Sequence, residues 1–160
     1  MANGSRSKKS RRAATSPASG WANAASSGKN ADNSGRAVSS VTRPLLSAFF
    51  PELAAFAQPL AGEVAARSEF FERLPFATGY AVETAMLLHA YDALGGTDAM
   101  AQVDLDVRRN RHQPLEALAP MAREVLGAVL DRLSAEGRLL DGEHVAPVER
   151  PPYATLGARA

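Results

Sequence analysis

The chain has 160 residues, 46% of them hydrophobic, and a formal charge of +1 at pH 7, which is enough for one domain of ordinary size. It contains no cysteine, so disulfides and thiolate metal sites are excluded. No run of about 18 apolar residues occurs, no apolar stretch follows the basic N-terminus, and Ala2 replaces the glycine that N-myristoylation needs, so a soluble cytoplasmic protein is expected.

The near-neutral total hides two pieces of opposite charge. Residues 1–40 hold seven bases (Arg6, Lys8, Lys9, Arg11, Arg12, Lys29, Arg36) and one acid, Asp32, for a net +6, leaving −5 on residues 41–160. Residues 1–34 are Ser, Ala, Gly, Asn and Lys/Arg with Trp21 as the one large apolar side chain, too little to offset the entropy of ordering them. A disordered basic tail is predicted there. Its Arg- and Ser-rich composition also suits a transit peptide. Lys8-Lys9-Ser10-Arg11-Arg12 has the look of a nucleic-acid patch, but no aromatic residue is interleaved for base stacking, and a nucleic-acid partner is not expected.

Pro44 is predicted to open the first helix, because its missing N–H costs nothing at a first helical position. Leu45, Leu46, Phe49, Leu53 and Phe56 recur at helical spacing, and Pro51 breaks or restarts the run. A turn over residues 58–62 leads to a second helical stretch, residues 63–73, ended by Leu74-Pro75. A third helix spans about residues 81–94 and stops at Gly95-Gly96. Residues 99–105 read as a strand, followed by the basic loop Arg108-Arg109-Asn110-Arg111-His112. Pro114 opens the clearest helix, with Leu115, Leu118, Ala122, Val125, Leu126, Val129 and Leu133 on one face and Gly137 at its end. Pro147, Pro151 and Pro152 predict an extended end. A lone strand leaves its backbone groups unpaired, so the rest of the sheet is expected from elsewhere.

No glycine-rich phosphate loop, HExxH or GxSxG motif is present. Asp104-Leu105-Asp106 has the letters of a metal motif but equally reads as a capped turn. The cluster Arg108–Gln113 is the densest set of hydrogen-bond donors, and three arginines ahead of a helix N-terminus can hold a phosphate or carboxylate. A solvated basic loop offset by Asp98, Asp104 and Asp106 is the plainer alternative. Glu83, one turn into a helix after Gly79-Tyr80, complements the helix dipole.

Taken in order, Gly35-Arg36, Arg43-Pro44-Leu45-Leu46, Phe50-Pro51-Glu52-Leu53, Gln58-Pro59-Leu60-Ala61-Gly62-Glu63, Leu74-Pro75-Phe76-Ala77-Thr78-Gly79-Tyr80-Ala81-Val82-Glu83, Ala101-Gln102-Val103-Asp104-Leu105 and Arg111-His112-Gln113-Pro114-Leu115 resemble the second half of the glucosyl-3-phosphoglycerate synthase family. Val148-Glu149-Arg150-Pro151-Pro152 is similar to that family's C-terminal tail. The resemblance covers residues 35–152 as an acceptor-side portion, with residues 153–160 as a closing tail. It implies an α/β GT-A fold of which this chain forms a mostly α-helical part with one or two short strands. It also implies a retaining transfer of glucose from a nucleotide diphosphate sugar to 3-phosphoglycerate, with magnesium or another divalent cation offsetting charge on the leaving diphosphate.

Residue by residue, the resemblance places Gly35 and Arg36 at the acceptor phosphate, with His112 where the family commonly has Asn or His contacting the acceptor. It places Glu83 beside the sugar, Arg108 near the diphosphate and metal, and Leu60 in a segment whose backbone faces the donor glucose. The chain departs from the pattern at three points: Asn110 stands at the family's metal-binding histidine, Val38 at a phosphate-holding threonine, and Ala81 at a glycine. The donor-binding half with its Asp-x-Asp motif is not found in the sequence. The expectation is a chain that is inactive alone and does not hold the cation alone, with a separate chain as donor half. The alternative is a noncatalytic interaction module that needs a partner.

Overall fold

A computed structural model describes residues 21–25, 33–60, 63–104, 115–139 and 144–157. Three helices form its centre. Helix α1 runs Asn33–Phe49, α3 Val82–Leu94 and α4 Leu115–Ala135, with a one-turn helix α2 at Ser68–Phe71 and another, α5, at Tyr153–Leu156. Helix α3 is buried almost all round, with Thr84, Ala85, Met86, Leu87, Leu88 and Ala90 out of solvent, as befits the middle element of a layered domain. Gly95 ends it in the left-handed conformation (φ 69°), its N–H returning to the carbonyl of Asp92.

The main core joins four elements: Leu46 and Phe50 at the end of α1, Leu53 and Phe56 from a 3₁₀ turn at Pro51–Ala55, Leu87 and Leu88 of α3, and Val129 and Leu133 of α4. A second cluster, Phe70, Leu74, Met86 and Ala90, covers the other side of α3. Between α3 and α4 lies a seam of small residues, Ala77, Ala81, Ala85 and Ala128. Ala81 is thus a packed methyl in a narrow interface.

Five strands, none longer than five residues, occur among the described residues. Strand β1 (Trp21–Ala25) is the middle of a three-stranded sheet. It pairs antiparallel with β2 (Val64–Ala66) and parallel with β4 (Met100–Asp104), Trp21 facing Ala66 on one side and Met100 on the other. Strands β3 (Phe76–Ala77) and β5 (Glu149–Arg150) form a separate antiparallel pair.

The structure departs from the sequence expectations at several points. Residues 21–25 are not part of a structureless tail; they supply the backbone partner that β4 lacks locally. The rest of the predicted tail, residues 1–20 and 26–32, lies outside the described residues. Pro44 does not start α1 but lies inside it. The missing N–H forfeits one helical bond, yet the ring is exposed and displaces nothing in the core. The helix expected over residues 63–73 is instead β2 and the short α2, because Val64, Ala65 and Ala66 take their backbone partners from β1. Phe50 replaces Phe49 in the core, and Leu126 is 37% exposed rather than on the buried face of α4. The C-terminal segment is not purely extended, since Pro152 leads into the α5 turn.

That C-terminal segment is a strap across the helices. Thr78 N–H donates to Val148 O at 2.8 Å, Ala154 N–H to Glu72 O at 2.8 Å, and His89 Nε2 lies 2.7 Å from Glu149 Oε1. Where the strap crosses α4, Gly127 lies so near the Val145 carbonyl that a Cβ would collide with it.

A charged cluster joins the C-terminal ends of α1, α3 and α4. Arg132 forks onto both carboxylate oxygens of Asp92 and holds Glu136 at 2.7 Å, while Arg138 reaches Glu136 at 2.8 Å. Arg138 also donates to the Phe49 carbonyl at 2.7 Å and stacks 5.3 Å over the Phe50 ring, closing the C-terminal end of α1. Partial burial by itself would raise the Glu136 carboxyl, but hydrogen bonds from Arg138 and Arg132 outweigh it and hold the carboxyl below its ordinary 4.5. A carboxyl depressed in the folded state stabilises fully above its unfolded pKa, and that contribution is lost as pH falls through the folded value. Urea titrations across this range are therefore expected to show about 0.5–1 kcal/mol of stability lost on acidification, absent in Glu136→Gln. An identical acid slope in wild type and variant would refute the assignment.

Candidate functional site

Four sequence-predicted residues, Gly35, Arg36, Leu60 and Glu83, fall on described segments, and Leu60 and Glu83 each follow a stretch of backbone pinned by a distant side chain. Leu60 lies in the turn with Pro59 and is half-buried. Just before it, Gln102 on β4 spans the chain with its amide: Oε1 accepts the Ala57 N–H at 2.8 Å, and Nε2 donates to the Gln58 carbonyl at 3.2 Å. A side chain that is both donor and acceptor thus imitates one rung of a sheet and ties the turn to β4.

Glu83 occupies the first turn of α3, where the positive end of the helix dipole favours a carboxylate. The turn entering that helix, Gly79–Ala81, is a single 3₁₀ turn. Gly79 adopts φ 68°, and its vacant Cβ position is filled by the carboxylate of Glu124 from α4. Glu124 Oε2 accepts the Tyr80 N–H at 2.5 Å, a short charge-assisted bond onto an N–H with no partner inside the helix.

The remaining candidates divide into two groups. Gly35 and Arg36 lie in the first turn of α1, which begins at Asn33. Arg108, Asn110 and His112 fall in residues 105–114, outside the described residues. Among the described residues no group of three or more His, Asp or Glu side chains could hold a metal ion. Also among them, no helix is long and apolar enough to cross a membrane.

Sequence reasoning missed Gln102 and Glu124. Each meets a backbone more than forty residues away, which no local pattern reports. Their only trace is a polar residue inside an apolar strand and an acid next to the apolar stripe of α4.

No family model matches the chain. It is 41% identical over 116 residues to glucosyl-3-phosphoglycerate synthase from Mycolicibacterium smegmatis, covering 64% of this chain and 38% of that protein. Its fold matches mannosyl-3-phosphoglycerate synthase from Rubrobacter xylanophilus with a TM-score of 0.78 at 39% identity, covering 88% of this chain and 54% of the other. It also matches glucosyl-3-phosphoglycerate synthase from Mycobacterium tuberculosis, crystallised with Mn2+, uridine-diphosphate-glucose and phosphoglyceric acid. There the TM-score is 0.75 at 35% identity, over 89% of this chain and 52% of that one. The chain therefore spans about half the length of these solved structures and less of the curated relative.

Proposed function

We infer that this chain, similar in sequence and fold to the C-terminal part of GT-A glucosyl-3-phosphoglycerate synthases, forms the acceptor-side wall of a glucosyl transfer site. The donor would be a nucleotide diphosphate glucose and the acceptor the free hydroxyl of 3-phosphoglycerate. The observation that carries this reading is the match of nearly nine-tenths of the chain to a synthase crystallised with donor and acceptor. In the transfer, the bond from the sugar's anomeric carbon to the diphosphate breaks. A bond from that carbon to the acceptor oxygen forms on the same face, and the hydroxyl proton is released.

Each residue has a task that its chemistry suits. The Glu83 carboxylate accepts hydrogen bonds from sugar hydroxyls, and the backbone of the turn at Leu60 faces the glucose. Gly35 offers close backbone approach and Arg36 a two-pronged donor for the acceptor's phosphate, with His112 beside them. Arg108 offsets diphosphate charge. A divalent cation, magnesium or another, would add to that offset when bound, with ligands beyond the described residues.

A second reading has its own support. Strands β2 and β4 are the edges of their sheet among the described residues, and Val103 of β4 is 42% exposed. Such an edge suits a partner chain that supplies the donor half, or a noncatalytic interaction module. A monodisperse monomer with a cooperative melt argues against it.

Calorimetric titration with 3-phosphoglycerate tests the main reading. Saturable binding is expected, weakened about tenfold or more in Arg36→Ala by loss of charge-assisted bonds. Absence of binding at millimolar ligand, or an unchanged affinity in Arg36→Ala, would remove the acceptor assignment.

A further inference from the structure

We propose that Glu124 is a positioning residue that sets the sugar-facing carboxylate of Glu83. This rests on the donor-side reading of Glu83 given above. The Gly79–Ala81 turn is the entry to α3. It departs from β3 at Thr78, whose own N–H is bound to the strap at Val148. It must then reverse direction before α3 can start, and it does so through a positive φ at Gly79. No side-chain cap from Thr78 or Ala81 holds the start of the turn or of the helix. The work that a capping side chain normally does locally is done here from another helix. Glu124 projects from α4 into the space left by Gly79 and accepts the Tyr80 N–H.

The placement links α4 to Glu83 by a short rigid path. Tyr80 and Glu83 belong to one continuous stretch of helical backbone, the 3₁₀ turn passing directly into α3 at Val82. Within that stretch and just after it, Ala81 and Ala85 pack in one buried cluster with Ala128, one helical turn beyond Glu124 on α4. Glu124 therefore sets the first peptide of a segment whose next residues cannot shift without opening the alanine seam. The contact also brings a negative charge toward the N-terminus of α3, into the field in which Glu83 sits. Glu124 would thus orient Glu83 and discourage a second anion from settling on the turn. It selects for a neutral, hydroxyl-bearing group next to Glu83 rather than a phosphate.

The test combines amide hydrogen exchange at Tyr80 with calorimetric titration of UDP-glucose, using the full chain and the variants Glu124→Ala, Glu124→Gln and Glu83→Gln. Glu124→Ala is expected to speed Tyr80 exchange by about ten- to a hundredfold, the loss of one charge-assisted bond. Glu124→Gln, which keeps an acceptor oxygen, should recover most of that protection. UDP-glucose affinity should fall by about tenfold in Glu124→Ala. Adding Glu83→Gln should cost little more than either single change, since both act through one carboxylate. Gly79→Ala, which expels the Glu124 carboxylate from the other side, should reproduce the exchange result if Glu124→Ala proves too unstable to study.

Unchanged Tyr80 exchange would overturn the proposal. So would raised exchange with unchanged UDP-glucose affinity, or losses from Glu124 and Glu83 that simply add. A wild-type chain that takes up no UDP-glucose overturns the donor-side reading itself, and the functional half of the proposal with it. Failure of the proposal alone is recognised by intact wild-type binding.

Discussion

Leu87→Ala is expected to be the most damaging single truncation in the core, lowering the unfolding free energy by about 2–5 kcal/mol. Leu87 is 1% exposed and lies in the cluster where α1, the Pro51–Ala55 turn, α3 and α4 meet. Its loss removes transfer energy and leaves a cavity that three other elements would have to close together. Native stabilities of about 5–15 kcal/mol leave little margin for such a loss. At about 2–4 °C per kcal/mol for a chain of this size, the melting midpoint should fall by roughly 5–15 °C. Leu126→Ala is the internal control. It shortens the same kind of side chain on the exposed side of α4 and should change stability by less than about 1 kcal/mol. Equal effects from the two variants would mean that the core has been misplaced.

Gly127→Ala sets two principles against each other. Alanine in a helix interior ordinarily gains about 1 kcal/mol over glycine. Here the new Cβ meets the backbone carbonyl of Val145, which cannot rotate away as a side chain would. The collision is expected to win, with a net loss of about 1–3 kcal/mol. The loss should be concentrated in the strap, which is held chiefly by hydrogen bonds. Val145, Val148, Tyr153 and Leu156 are all exposed, so little apolar area resists its lifting. Amide exchange at Thr78 and Ala154 should accelerate, and chymotrypsin should cut faster at Tyr153. A stabilised Gly127→Ala with slower cleavage would show that the strap yields freely and that propensity decides.

The parts of this fold legible in the sequence are those settled within a few turns of chain. Helix α3 and its glycine stop follow from local apolar density and from the left-handed freedom of Gly95, and α4 follows from its stripe through Val125, Val129 and Leu133. Strand β4 was readable from the short mixed run around Gln102. Strand β1 was not, because Trp-Ala-Asn-Ala-Ala has little β propensity and is extended only through its partners on both sides. Val64-Ala65-Ala66 fails for a related reason: three such residues suit helix or strand, and pairing with β1 decides. Pro44 misled because its commonest helical position is the first, whereas an exposed proline is tolerated within α1. Of the candidate site, Glu83 and Leu60 could be located from their motifs. The groups that pin the backbone just before them, Glu124 and Gln102, could not, since each contact exists only after distant elements have docked.

The central position of β1 also bears on the order of assembly. Strands β2 and β4 are not neighbours in their sheet; each pairs with β1 between them, and Trp21 must find Met100 across most of the helical region. Closing so wide a loop before any reward is slow, whereas the turns between neighbouring helices close quickly. The helical layer should therefore consolidate first, leaving the sheet as the late, rate-limiting event of folding.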